Sequence, residues 1–166
     1  MAAEDSVRAI DHVQRVGLSH TPIWYGIETA AMSWKRGAIL IAAAAGTISE
    51  AAEDAVADIL GVALEDASGV TGTAVPYVPA LPHLTFEATL EDPGATHTLV
   101  QTDMFAALGF GKTAGGLWYI DEAEITAQAA RIIEFVSPLG TNQARVRFMF
   151  LVDATVFSGP DSIGAS

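Results

Sequence analysis

The chain has 166 residues, no cysteine, and twenty acidic against eight basic side chains, a formal charge of −12. That length fills one domain with an ordinary core and needs no disulfide or metal staple. The missing cysteines exclude thiol nucleophiles and thiolate-bound zinc, and the charge repels phosphate backbones, which argues against a nucleic-acid partner. The acid is unevenly spread: residues 37–130 hold thirteen acidic side chains and one basic, Lys112, whereas 1–36 and 131–166 are each balanced. Such a pattern suits solubility alone, or an acidic outer surface on a molecule whose neutral ends meet a partner.

Along the chain, Val7, Ile10, Val13 and Val16 recur every three residues. The spacing fits a short amphipathic turn docked on the domain, or an arm that orders on a partner, and it lacks the apolar core of a secretory signal. The expected organisation is an N-terminal arm over 1–20, a β domain over 21–157 and a flexible C-terminal tail over 158–166. Removal of the arm is expected to leave the β domain folded. The apolar run Ala38–Ala45 falls far short of the roughly 20 residues that cross a bilayer and reads as a core strand, so no membrane association is expected.

From Lys35 onward, short apolar runs alternate with glycine, proline and acidic turns, the pattern of a mainly β barrel or sandwich. Strands are expected at 38–43, 59–64, 73–78, 84–90 and 117–120. A hairpin is expected from 131–137 and 143–152, joined by Pro138-Leu139-Gly140-Thr141-Asn142. Leu84, Phe86, Ala88 and Leu90 alternate with polar residues, and Ala144, Val146, Phe148, Phe150 and Val152 share a face opposite Arg145 and Arg147. One helix of about two turns is expected over Thr102–Leu108, capped by Thr102 and ended by Gly109. Residues 49–60 read equally as helix or excursion, and no internal repeat is evident.

No chemistry-bearing motif emerges. Gly109-Phe110-Gly111-Lys112-Thr113 resembles a phosphate loop in part, but Ala106 stands where the pattern needs glycine and a strand pattern follows where it needs a helix. His12, His20, His83 and His97 lack metal-ligand spacing, and no Gly-x-Ser-x-Gly elbow is present. The pairs Glu65-Asp66, Glu91-Asp92 and Asp121-Glu122 read as solvated turn acids, so neither enzyme nor cofactor is expected. A small hydrolase remains the weakest alternative. Trp24, Trp34, Trp118, Tyr25, Tyr77 and Tyr119 read as core or interface anchors, and a carbohydrate- or receptor-binding β module would need several of them on one exposed face.

Three segments carry a resemblance: Trp34-Lys35-Arg36-Gly37-Ala38-Ile39-Leu40-Ile41, then Gly46-Thr47-Ile48-Ser49-Glu50-Ala51-Ala52, then Ile59-Leu60-Gly61-Val62-Ala63-Leu64-Glu65-Asp66-Ala67. Together with the later order of elements, over about residues 34–155, the chain resembles tailed-phage capsid decoration (cement) proteins. The resemblance implies a compact, β-tulip-like domain on the outer surface of the virion, made in the host cytoplasm and commonly trimeric. Its partner would be a major capsid protein of the HK97 fold, whose subunit contacts it would stabilise. The expected interface residues are Val7, Ile10, Val13, Val16, Trp24, Tyr25 and Trp34.

Overall fold

The computed structural model describes residues 8–13, 21–55, 57–93 and 97–157. It is mainly β, with eleven strands: β1 (Asp11–Val13), β2 (Trp24–Glu28), β3 (Ile39–Ala42), β4 (Thr47–Glu50), β5 (Ile59–Ala63), β6 (Ala74–Pro79), β7 (Thr85–Glu91), β8 (Ala107–Lys112), β9 (Trp118–Asp121), β10 (Ala130–Phe135) and β11 (Arg145–Phe150). Ten of them, β2 to β11, build two successive five-stranded rings. The first is the closed barrel β2-β4-β3-β5-β6, and in the second, β7-β11-β10-β8-β9, the parallel pair β7–β9 joins the ends.

The two rings have the same topology. In each, the first and third strands in chain order pair in parallel, and every other contact is antiparallel. The registers match as well. Glu28 opposite Ile48 corresponds to Leu90 opposite Ile120, and Ala42 opposite Ile48 to Phe110 opposite Ile120. Leu40 opposite Gly61 corresponds to Leu108 opposite Ala130, Gly61 opposite Pro79 to Ala130 opposite Phe150, and Gly26 opposite Val75 to Ala88 opposite Val146. The fold is therefore an internal duplication, a repeat invisible in the sequence.

Strand alternation decides what each ring holds. In the second, Phe86, Phe110, Phe148 and Phe150 meet at centroid separations of 5.1–5.7 Å. The first is filled by smaller groups. A side chain at Gly26 would strike Ile48 at 2.6 Å, and one at Gly61 would run into the Val78 carbonyl, so these glycines let strands and side chains approach closely. One continuous apolar cluster spans both rings.

The expected strands at 38–43, 59–64, 73–78, 84–90 and 117–120 and the 131–152 hairpin are present as β3, β5, β6, β7, β9 and β10–β11. The expected helix is not. Gln101–Asp103 make a single 3-10 turn, Phe105 leaves it with φ of 67°, and Leu108 and Gly109 lie in β8, where Leu108 and Phe110 fill the second ring. Burial of those two side chains overrides the capping signal at Thr102. β2, β4 and β8 were not anticipated.

The start of the chain also departs from expectation. Asp11, His12 and Val13 form a strand antiparallel to Glu87, Phe86 and Thr85 of β7, so this part of the expected arm belongs to the sheet. Gly37, at φ +84°, makes room for it: a Cβ there would lie 2.6 Å from the Ile10 nitrogen. The expected tail, 158–166, lies outside the described residues.

Candidate functional site

Seven residues were expected to face a partner, and the structure separates them. Ile10 is 1% exposed and Trp34 2%, both in the chain's own core: the segment carrying Ile10 leads into β1, which folds back onto β7, and Trp34 belongs to the same buried apolar cluster. Val13 is half-buried in β1. Val7 and Val16 lie outside the described residues. Trp24 and Tyr25 are on the surface, joined by Ile23 and Ile27: Ile23 is 50% exposed, Trp24 42%, Tyr25 70% and Ile27 42%.

Trp24, Tyr25 and Ile27 lie on β2, and Ile23 immediately precedes it in the direction of the strand. Trp24 shares its face with Gly26 and Glu28 and covers the mouth of the first ring, where its ring meets Tyr77 at 6.4 Å and Phe157 at 5.6 Å, both edge-on. Ile23, Tyr25 and Ile27 point the other way and form an apolar stripe. The surrounding ribbon carries no charge at residues 21–27 or 73–82, in a chain of net −12. A run of neighbouring exposed apolar side chains on an otherwise charged molecule marks a contact surface.

Most of the other candidate groups are tied into structure, whereas His83 is exposed and His20 lies outside the described residues. Around Gly109 and Gly111 the chain is a strand, and side chains there would collide with Glu124 and with the Tyr119 ring, so the glycines accommodate packing and cradle no phosphate. His12 sits edge-on to Phe86 at 5.7 Å, its Nδ1 hydrogen-bonded to Thr21 Oγ1 at 3.0 Å, and burial lowers its pKa. His97 Nε2 donates to Asp103 Oδ2 at 2.9 Å while its Nδ1 faces Glu122 at 3.8 Å. Both ring nitrogens of His97 are thus turned to carboxylates. Among the described residues no group of three or more His, Asp or Glu is placed to hold a metal ion, and no helix is long and apolar enough to cross a membrane.

The acid pairs end up in different settings. Asp66 accepts from the Arg36 backbone N–H at 2.8 Å and from Lys35 Nζ at 3.2 Å. Glu91 and Asp121 stand opposite each other on β7 and β9, so two pairs separate in sequence converge. Burial raises the pKa of both.

Buried Glu28 lies in the first ring, where the second has Leu90. Its carboxylate accepts from the Met32 N–H at 2.8 Å, the Ser68 N–H at 3.1 Å and the Ser68 hydroxyl at 2.6 Å. Burial alone would raise its pKa, but those bonds outweigh burial and hold it below the usual value.

The aromatic surface does not form a sugar platform. Trp34, Trp118, Tyr77 and Tyr119 are buried, and adjacent Trp24 and Tyr25 point to opposite faces of the strand. No known family model matches the chain, and no curated protein does.

Proposed function

We propose that the protein is a structural capsid decoration protein that attaches to the outer surface of a phage head and stabilises contacts between HK97-fold major capsid subunits. The supporting observation is the stripe Ile23, Tyr25 and Ile27, with Trp24 beside it, on a charge-free ribbon of an acidic chain. A β domain with its chemistry-bearing residues tied into structure and one apolar strand exposed is built for binding. The acidic side chains keep the remaining surface hydrated and opposed to like-charged neighbours. Self-association, as a homotrimer, belongs to the same proposal.

The test is co-sedimentation of the purified protein with preformed capsid shells that lack it, together with its mass by light scattering. Attachment that falls when Ile23 and Ile27 are both replaced by serine supports the reading. Shells that sediment without the protein sink it, and a strictly monomeric protein on and off the shell removes the trimer.

A further inference from the structure

Strand β7 has three neighbours. One edge pairs with β11; on the other, Leu90 and Glu91 pair with β9 while Thr85–Glu87 pair antiparallel with β1. Through the matched registers, Thr85, Phe86 and Glu87 correspond to Ile23, Trp24 and Tyr25 of the first ring. There β2 pairs with β6 on one edge and, at Ile27 and Glu28, with β4 on the other. Among the described residues nothing occupies the place beside Ile23–Tyr25 that β1 fills beside β7.

The backbone there faces outward. Glu28 N–H donates to the Thr73 carbonyl at 2.9 Å and its carbonyl accepts from Gly72 N–H at 2.9 Å, while Thr29 N–H donates to Ile48 at 3.1 Å. Alternate residues of a strand direct their peptide groups to opposite edges. Ile23 and Tyr25 therefore aim N–H and C=O away from β6, just as Thr85 and Glu87 aim theirs at Val13 and Asp11. Sheets commonly blunt such an edge with charge or proline. Here the side chains are apolar and exposed, and Pro22 only limits where the edge begins.

We propose that Ile23–Tyr25 is a strand-addition site for an extended segment of another polypeptide, antiparallel to β2, apolar on the face it shares with Ile23 and Tyr25, and basic at its ends. The direction and the length of about three paired residues follow from β1 on β7. Charge selects the class: a chain at −12 repels acidic segments, and the charge-free ribbon offers an acid no counter-ion. The attachment proposed above bears only on where that segment comes from.

The probe is a short acetylated and amidated peptide, Lys-Val-Thr-Val-Thr-Val-Lys, titrated to millimolar concentration into isotope-labelled protein and compared with the same peptide ended in glutamate. The lysine peptide should shift the Ile23 and Tyr25 amide resonances and slow their hydrogen exchange by about tenfold or more. Tyr25→Pro removes a donor on the open edge without touching the β2–β6 ladder, and should abolish the response. Tyr25→Ala keeps the N–H and should keep the response to within about threefold. The proposal is overturned if Tyr25→Pro responds like the parent, if the lysine peptide shifts neither amide, or if those amides are as protected in the free protein as Thr85 and Glu87. Co-sedimentation with shells separates the two readings. Attachment lost in Tyr25→Pro together with the peptide response supports both readings and places the segment on the capsid, whereas a peptide response without shell attachment keeps the strand-addition site and ends the capsid reading.

Discussion

Trp118 on β9 donates its indole N–H to Glu50 Oε1 on β4 at 2.9 Å, a hydrogen bond from the second ring to the first. The Trp118 side chain is almost wholly buried, and Lys112 Nζ lies 3.4 Å from the other Glu50 oxygen and 5.5 Å from the indole ring centre. Loss of the acceptor would leave a buried indole N–H unsatisfied. Glu50→Ala should therefore cost about 1–3 kcal/mol in urea unfolding, and Glu50→Gln, which keeps an acceptor, clearly less. Equal losses in the two variants would mean that the bond does not hold the rings together.

Glu28 gives a pH signature. Its folded pKa lies below the ordinary 4.5, so its ionised form is favoured in the folded state. The resulting stability is fully present above the unfolded pKa and is lost as pH falls through the folded one. Urea titrations of the parent and Glu28→Gln should differ most near neutrality and converge on acidification. A stability difference that stays constant from neutral to acid pH would assign the residue to packing alone.

How much was legible follows the filling of the rings. β7 and β11 read clearly because Phe86 and Leu90 alternate with polar residues and Val146 and Phe148 alternate with Arg145 and Arg147. β2 did not, because its inward positions are Trp24, Gly26 and Glu28, and a glutamate inside a barrel looks like a turn acid. The duplication was hidden for the same reason: Ile48 matches Ile120, Leu40 matches Leu108 and Val75 matches Val146, but Glu28 matches Leu90, Ala42 matches Phe110 and Pro79 matches Phe150, so the like positions are too scattered to read as a repeat. At the candidate site, Trp24 and Tyr25 stand out as aromatic anchors, whereas Ile27 carries no such signal. Composition could not tell exposed Trp24 from buried Trp34, since that depends on which strand covers which.

Tyr119 reports the acidic cluster. Burial, followed by the charges of Asp121, Glu53, Glu91 and Asp92, pushes its phenol up to about 12 from 10.0. A raised folded pKa contributes stability below the unfolded value, and that contribution is lost as pH rises from 10.0 through about 12. Ultraviolet titration of the folded protein should show a tyrosine ionising near the upper value, missing from Tyr119→Phe. If the two titration curves superimpose, the phenol is not held in that environment.

The last expectation concerns β1, because it separates an arm from a core element. Ile10 is buried beside the apolar cluster, and the Arg8 N–H reaches Thr89 Oγ1 at 3.3 Å, so the chain entering β1 is tied to β7 beyond the three-residue ladder. Arg36 adds a contact to Asp11 at 2.6 Å, but both side chains are about half exposed, and such a pair contributes little. The apolar burial dominates. Ile10→Ala should cost about 2–4 kcal/mol in urea unfolding, and Asp11→Ala less than about 1 kcal/mol. Deletion of residues 1–13 should cost more than either, since it also exposes the Thr85–Glu87 edge. An Ile10→Ala variant as stable as its parent, with the truncated chain equally stable, would return the segment to the status of a detachable arm. With β1 gone and the two rings otherwise equivalent, the truncated protein should bind the lysine-ended peptide at Thr85 and Glu87 as well as at Ile23 and Tyr25.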